Sequence, residues 1–383
     1  MSDRFNLADN NTPRILVVGG GAAGLSCAWR LAGEGCAVTL LDRGPVESSA
    51  LWASGGMLAA GFEASVELDP RHPLAGAFAA ALHEAADQWS DWADQLQRHS
   101  PTPLGYERRG VLSPLLTDLD EARAETVVVQ AARFGVTAAR TPAHEARRLE
   151  PSLNAARGAI LFPGDGQLDN RALARALRRA FEAAGGRFEG GAEVAGFRRA
   201  RGRVTGVQLA DGRTIDADLV LAAPGAALLG REREMPPMRP VKGQMLAFDL
   251  SPAPGPDHVI RGFDIYLAAK PGGRLIVGAT VEPGVDDLKT DDEALQGLHR
   301  RASAVLPDLA ALSPVEAWAG LRPASGDAMP VIGVAAPGLI IAGGGFRNGV
   351  LLAPLVAEMV CALVFNRPLS HMMSAFSPQR DGL

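Results

Sequence analysis

Apolar residues fall along this chain in two rhythms. Near the start, Ile15, Leu16, Val17 and Val18 follow one another without a polar break, as in a strand buried on both faces. From Ala22 to Gly33 small and apolar residues recur at helical spacing; Gly33 and Gly35 stop that helix, and a second apolar run fills residues 37–41. Strand, helix and strand in this order predict a βαβ unit, whose parallel strands require a sheet covered on both faces.

Residues 87–151 are Ala-rich, charged and helical in pattern, with few strand signals, and read as an excursion from the first domain. Strand-and-turn patterning resumes at 158–166. Asp169 or Asn170 then caps a helix predicted over 171–184 and stopped by Gly185 and Gly186. Two strand runs joined by Asp211-Gly212 predict a hairpin, and residues 218–223 give another buried strand ending at Pro224-Gly225. Strands at 244–249, 265–269 and 274–279, separated by Pro- and Gly-rich turns, predict an antiparallel sheet. The last segment carries a glycine-rich strand end at Gly343, Gly344 and Gly345 and a helix expected from about Asn348. Its apolar stretch 350–365 is interrupted by Pro354 and Glu358 and falls short of a membrane span, so it reads as a buried helix.

The expected fold class is therefore α/β. A doubly wound, Rossmann-like nucleotide-binding domain takes residues 1–86, 152–228 and 316–383; a second, mainly antiparallel-sheet domain takes 87–151 and 229–315. Both are discontinuous. A length of 383 residues agrees with two domains, and 47% hydrophobic with 21% charged residues is a soluble globular composition.

A net charge of -5 offers no basic face for nucleic acid. The arginine pairs 147–148 and 178–179 are interleaved with Glu and Ala, as on solvated helices. Cys27, Cys36 and Cys361 lie in apolar stretches without CxxC spacing, which argues against a disulfide framework or a zinc site and for a reducing compartment. Residues 1–14 are polar and lack a signal-like apolar run, so a cytoplasmic location is expected. Association into a homo-oligomer stays open.

The turn Gly19-Gly20-Gly21-Ala22-Ala23-Gly24 has the GxGxxG form, and each glycine has a task. Gly19 permits the sharp turn, Gly21 lets backbone reach a pyrophosphate, and Gly24 lets helix pack on strand. The helix start supplies unpaired N–H groups for the phosphates. Asp42, 18 residues past Gly24 at the end of the second strand, is placed to accept ribose hydroxyls. Small residues from Ser48 to Met57 follow, suited to backbone running beside an extended ligand. The chain has one such glycine motif, which points to a dinucleotide reduced by a small substrate rather than by a second, nicotinamide-binding domain.

Six segments in order carry a resemblance: residues 15–42, Leu51-Trp52-Ala53-Ser54-Gly55-Gly56-Met57, Val241-Lys242-Gly243-Gln244, Val277-Gly278-Ala279-Thr280, Ala319-Gly320-Leu321-Arg322-Pro323 and Phe346-Arg347-Asn348-Gly349. They resemble the D-amino-acid oxidase superfamily, and within it the glycine oxidases (ThiO) of thiamine biosynthesis. The resemblance implies a noncovalent FAD, with Ala22, Ala23, Asp42, Arg43, Ala50, Leu51, Gly55, Gly56, Met57, Val194 and Gly225 as contacts, then Gly345, Phe346, Arg347, Asn348, Gly349, Val350 and Leu351. It also implies that Arg322 and Arg347, with Tyr266 beside them, hold a small amino acid or amine. Three positions depart from the family pattern: Gly345 stands where His is common, Ala269 where Pro is usual, and Val281 where one relative has Met. These changes bear on substrate choice more than on reaction type.

The residues themselves support that chemistry. A guanidinium grips a carboxylate through two parallel charge-assisted hydrogen bonds. Arg322 sits in an apolar, turn-like setting where it needs a ligand or an acid, and Glu316 or Asp327 is the structural alternative. Arg347 is expected near the flavin, as a substrate contact or as a partner of phosphate or a backbone carbonyl. Tyr266 is expected to donate to the carboxylate or to serve as a plain sheet aromatic. The implied reaction is oxidation of the amine to an imine, with O2 reduced to H2O2. A D-amino-acid dehydrogenase that uses a quinone, a sarcosine oxidase-like enzyme and a flavoprotein without turnover are the competing readings.

Overall fold

The computed structural model describes residues 12–383 apart from 154–155, 227–231, 233, 253–254, 369–371 and 373. The polar segment 1–11 and the division placed at 228–229 thus lie outside the described residues. Strand β1 (Arg14–Val18), helix α1 (Ala22–Gly33) and strand β2 (Ala37–Asp42) form the expected βαβ unit, with β1 and β2 parallel. Then come α2 (Ala50–Ala53), β3 (Met57–Leu58), α3 (Ala60–Phe62), which runs on as a wider helical turn to Glu67, and α4 (Ala75–Gln97). The excursion contains β4 (Val111–Leu115), α5 (Asp118–Arg133), β5 (Ala139–Pro142) and α6 (Ala143–Leu149). A Thr117–Asp120 capping box starts α5.

The chain continues through β6 (Gly158–Phe162), β7 (Gly166–Gln167), α7 (Asn170–Ala183), β8 (Arg187–Gly190), β9 (Val194–Ala200), β10 (Arg203–Leu209), β11 (Thr214–Asp216) and β12 (Leu219–Ala222). The Asp169 side chain caps α7 through the N–H groups of Arg171 and Ala172. The second half holds β13 (Arg239–Asp249), β14 (Val259–Arg261), β15 (Tyr266–Ala269), β16 (Arg274–Gly278), β17 (Glu282–Pro283), α8 (Asp292–Val305), β18 (Glu316–Ala324), β19 (Val331–Ala336), β20 (Leu339–Gly343) and α9 (Ala353–Val364).

One sheet has the order β19-β20-β12-β1-β2-β8, parallel except for the edge strand β19. Alternation along β1 sends Ile15 and Val17 into the core formed with α1, α4, α7 and α9, and Leu16 and Val18 into the opposite core. That opposite core is closed by the three-stranded sheet β9–β11, so the layers run helices, parallel sheet, small sheet. Each fully buried Ile, Leu or Val here stabilises by roughly 1.5–3 kcal/mol over exposure, which fixes the strand ends that carry the glycine turn.

The larger sheet runs β5-β6-β4-β14-β15-β16-β13-β18, with β17 beside the start of β13, and is antiparallel except for β4 against β14. Three sequence expectations change. The 87–151 stretch supplies two strands, β4 and β5, although it reads as helical; β4 is paired by β6 and by the distant β14, and β5 by β6. Helix α4 crosses 86/87 and packs its apolar face on the first core, and β6 and β18 join the larger sheet, so these elements depart from the expected division at three of its four boundaries, 86/87, 151/152 and 315/316. The last helix begins at Ala353 rather than near Asn348, because residues 345–352 form turns beside a cavity.

Candidate functional site

A cavity of about 770 Å³ runs from the turn after β1, past α2 and Gly55–Met57, to the face of β13, β15 and β18. Its nucleotide end is built from close backbone approaches. Gly19 has φ of +102°, and a Cβ there would stand 2.2 Å from the Ala223 carbonyl oxygen. A Cβ on Gly24 would meet the Gly19 carbonyl oxygen at 1.8 Å, whereas one on Gly21 would meet nothing, so that backbone is open to the cavity. Helix α1 follows Gly21, which offers no side-chain cap and so leaves the first N–H groups of the helix for a ligand. The Asp42 carboxylate accepts from Gly20 N–H and, at 2.9 Å, from Gly44 N–H. Each of its oxygens keeps a lone pair for a hydroxyl.

At the other end Tyr266 lies between two glycines: a Cβ on Gly55 or Gly278 would come within 2.7 Å of its ring or hydroxyl. Its Oη reaches Met245 Sδ at 3.4 Å. Burial pushes the phenol up to about 12, so it stays a neutral donor at ordinary pH. Arg322 projects from β18 into the same space. Its Nη1 donates to the carbonyls of Thr280 at 3.2 Å and Lys242 at 3.4 Å, and it has no carboxylate partner among the described residues. Burial lowers its pKa, and the charges of Arg347 and Arg261 push the same way. The two acids the sequence offers it are engaged elsewhere, Glu316 with Arg171 and Arg274, Asp327 with Arg380.

Arg347 differs. Both its terminal nitrogens donate to Glu67, at 2.7 Å each, and no backbone carbonyl is its partner among the described residues. Glu67 also accepts from Arg261 at 3.2 Å. Arg261 is bound by buried Glu63 at 2.6 Å and lies over the Phe62 ring.

The family model described as DAO, FAD dependent oxidoreductase, matches residues 14–363. The chain belongs to this DAO family. It is 33% identical to a glycine oxidase of Pseudomonas aeruginosa, over 92% of this chain and 95% of that one. It is 32% identical to the bifunctional protein ThiO/ThiG of Synechocystis sp. across 96% of this chain, and spans about half of that longer relative, 54%. The crystal structure of glycine oxidase from Geobacillus kaustophilus matches with a TM-score of 0.87 at 28% identity, covering 96% of this chain and 99% of that one. The fold and the FAD dependence follow from membership: this DAO-family chain is an FAD-dependent oxidoreductase.

The DAO-family cofactor fits the residues present, since the open α1 terminus suits a pyrophosphate and Asp42 a ribose. Of the sequence candidates, Gly19, Gly21, Ala22, Ala23, Asp42, Arg43, Ala50, Leu51, Gly55, Gly56, Met57, Val194, Gly225, Gly345, Phe346, Arg347, Gly349 and Val350 line the cavity, as do Tyr266 and Arg322. Three do not. Gly24 is the helix-packing glycine, Asn348 donates to Glu63 at 3.2 Å, and Leu351 is core whose carbonyl accepts from Trp89 at 2.9 Å. No cysteine lines the cavity among the described residues; all three are buried free thiols. Sequence reading missed Glu63, Glu67 and Arg261. No motif marks them, because Glu67 and Arg347 are 280 residues apart. No helix among the described residues is long and apolar enough to cross a membrane.

Proposed function

We propose that this DAO-family enzyme oxidises glycine or a similarly small amino acid at its amine. Amino acid, O2 and water give oxo acid, ammonia and H2O2 through an imine. The observation that carries this reading is Arg322, a guanidinium that reaches the cavity with carbonyls alone as partners among the described residues. An unmatched cation beside two further arginines is costly, and a substrate carboxylate relieves that cost.

FAD, when bound, supplies the two-electron acceptor for the amine-bearing carbon. The chain supplies the rest. Arg322 fixes the carboxylate, and Tyr266 donates its phenolic hydrogen to the same group. The glycines at 55, 243 and 278 leave the room that both side chains fill, since a Cβ at any of them would clash with Tyr266 or Arg322. Orientation of this kind lowers the barrier without a side-chain base. Likeness to the glycine oxidases supports the small substrate and the O2 acceptor, and a role for the imine in thiazole synthesis for thiamine.

Oxygen uptake with glycine, sarcosine and D-alanine, set against reduction of a quinone-like dye, tests the reading. Saturable uptake with stoichiometric H2O2 is expected. Reduction of the dye without oxygen uptake contradicts the oxidase assignment.

A further inference from the structure

Three guanidinium groups meet at the substrate end, those of Arg261, Arg322 and Arg347, close enough for their charges to act on one another. Two carboxylates answer them. Glu63 is buried and bonds Arg261 at 2.6 Å and Asn348 at 3.2 Å. Glu67 lines the cavity and takes both terminal nitrogens of Arg347 at 2.7 Å each, with Arg261 as a second partner at 3.2 Å. Among the described residues the charges of these three therefore close as two pairs and leave one cation, Arg322. The remaining cavity-lining acids stand elsewhere: Asp42 and Glu193 at the nucleotide end, and Asp264, exposed, facing Arg301 at 3.7 Å.

We propose that Glu67 is a specificity-determining residue, which by occupying the fork of Arg347 restricts the site to amino acids with a single carboxylate. The proposal rests on Arg322 as the carboxylate clamp. A substrate carrying a second carboxylate finds the remaining guanidinium fork filled and a like charge beside it. A bidentate, charge-assisted pair of this geometry is not displaced without loss. Replacing Glu67 with Gln keeps size and one acceptor but removes the charge, which turns Arg347 into a second anion site.

The test compares sarcosine with iminodiacetate, which share the glycine unit and the secondary amine and differ by one carboxylate. In the wild type kcat/KM favours sarcosine. In Glu67→Gln the ratio of iminodiacetate to sarcosine rises about tenfold or more, corresponding to about 1.4 kcal/mol or more. The double variant Glu67→Gln/Arg347→Met loses that gain. The same three proteins, loaded with FAD, are titrated with redox-inert acetate and malonate while the flavin spectrum is followed; malonate affinity follows the same order. An unchanged ratio in Glu67→Gln, or a gain that persists without Arg347, overturns the proposal. If the wild type oxidises neither substrate, the acetate and malonate titrations decide the role of Glu67 on their own, and the amine-oxidase reading has failed only when glycine and D-alanine are left unoxidised as well.

Discussion

Gly243 lies against the guanidinium of Arg322: a Cβ added to it would stand 2.3 Å from Nη2 and 2.6 Å from Cζ. The two residues sit on adjacent strands, with Val241 of β13 paired to Arg322 of β18 and Gly243 paired to Gly320. The missing side chain at 243 is what gives the guanidinium its place over the sheet. Gly243→Ala pushes against the far end of a flexible side chain, so the protein folds and holds FAD while the clamp shifts. The expected result is a KM for amino-acid substrate raised about tenfold, equivalent to ~1.4 kcal/mol of binding, with flavin affinity unchanged. Steady-state kinetics beside flavin titration checks it.

Trp318, on the same strand as Arg322, ties the substrate sheet to the cofactor wall. Its Nε1 donates to the Ala53 carbonyl at 3.0 Å, and Arg171 lies between the Trp52 and Trp318 rings at 5.1 Å from each. Trp318→Phe keeps an aromatic face but loses the hydrogen bond, worth about 1 kcal/mol. FAD is expected to bind roughly fivefold more weakly by the same arithmetic, measured by recovery of flavin fluorescence on dilution. Unaltered affinity would show that α2 is held without this contact.

Asp165 gives a pH signature. Burial pushes its carboxyl from the ordinary 3.8 up to about 7, although the N–H groups of Gly61 at 2.7 Å and Phe62 at 2.9 Å favour the charged form. The folded protein therefore holds a proton that the unfolded chain releases. The stabilisation is complete below about 4 and is lost as pH rises to about 7, with a slope of at most ~1.4 kcal/mol per pH unit. Asp165→Asn removes this component. Urea unfolding of the FAD-loaded proteins across that window is expected to show the wild type losing stability relative to the variant, and parallel curves would count against it.

The nucleotide half was legible because its signals are local. The β1 run, the glycine turn, α1 and β2 lie within 29 residues, residues 14–42, and the Asp211-Gly212 turn fixes the β10–β11 hairpin by itself. Strand β4 was not legible: it contains Pro114 and becomes a strand through pairing with β6 and β14. Arg322 could be singled out as a cation in an apolar setting, and its freedom from Glu316 and Asp327 needed the fold. Arg347 carried the same motif-level weight, yet its partner Glu67 is supplied by the helical turn after β3. An ion pair across 280 residues leaves no pattern in spacing.

In the proposed reaction Arg322 clamps the carboxylate of an amine oxidised at the flavin. Anaerobic mixing of the FAD-loaded protein with glycine, sarcosine or D-alanine tests it most directly, with flavin absorbance followed over time. Saturable bleaching by at least one of them is expected. In Arg322→Ala, the loss of two charge-assisted hydrogen bonds, roughly 3 kcal/mol, weakens apparent substrate binding about a hundredfold. Bleaching of Arg322→Ala at the wild-type rate and apparent Kd would contradict it.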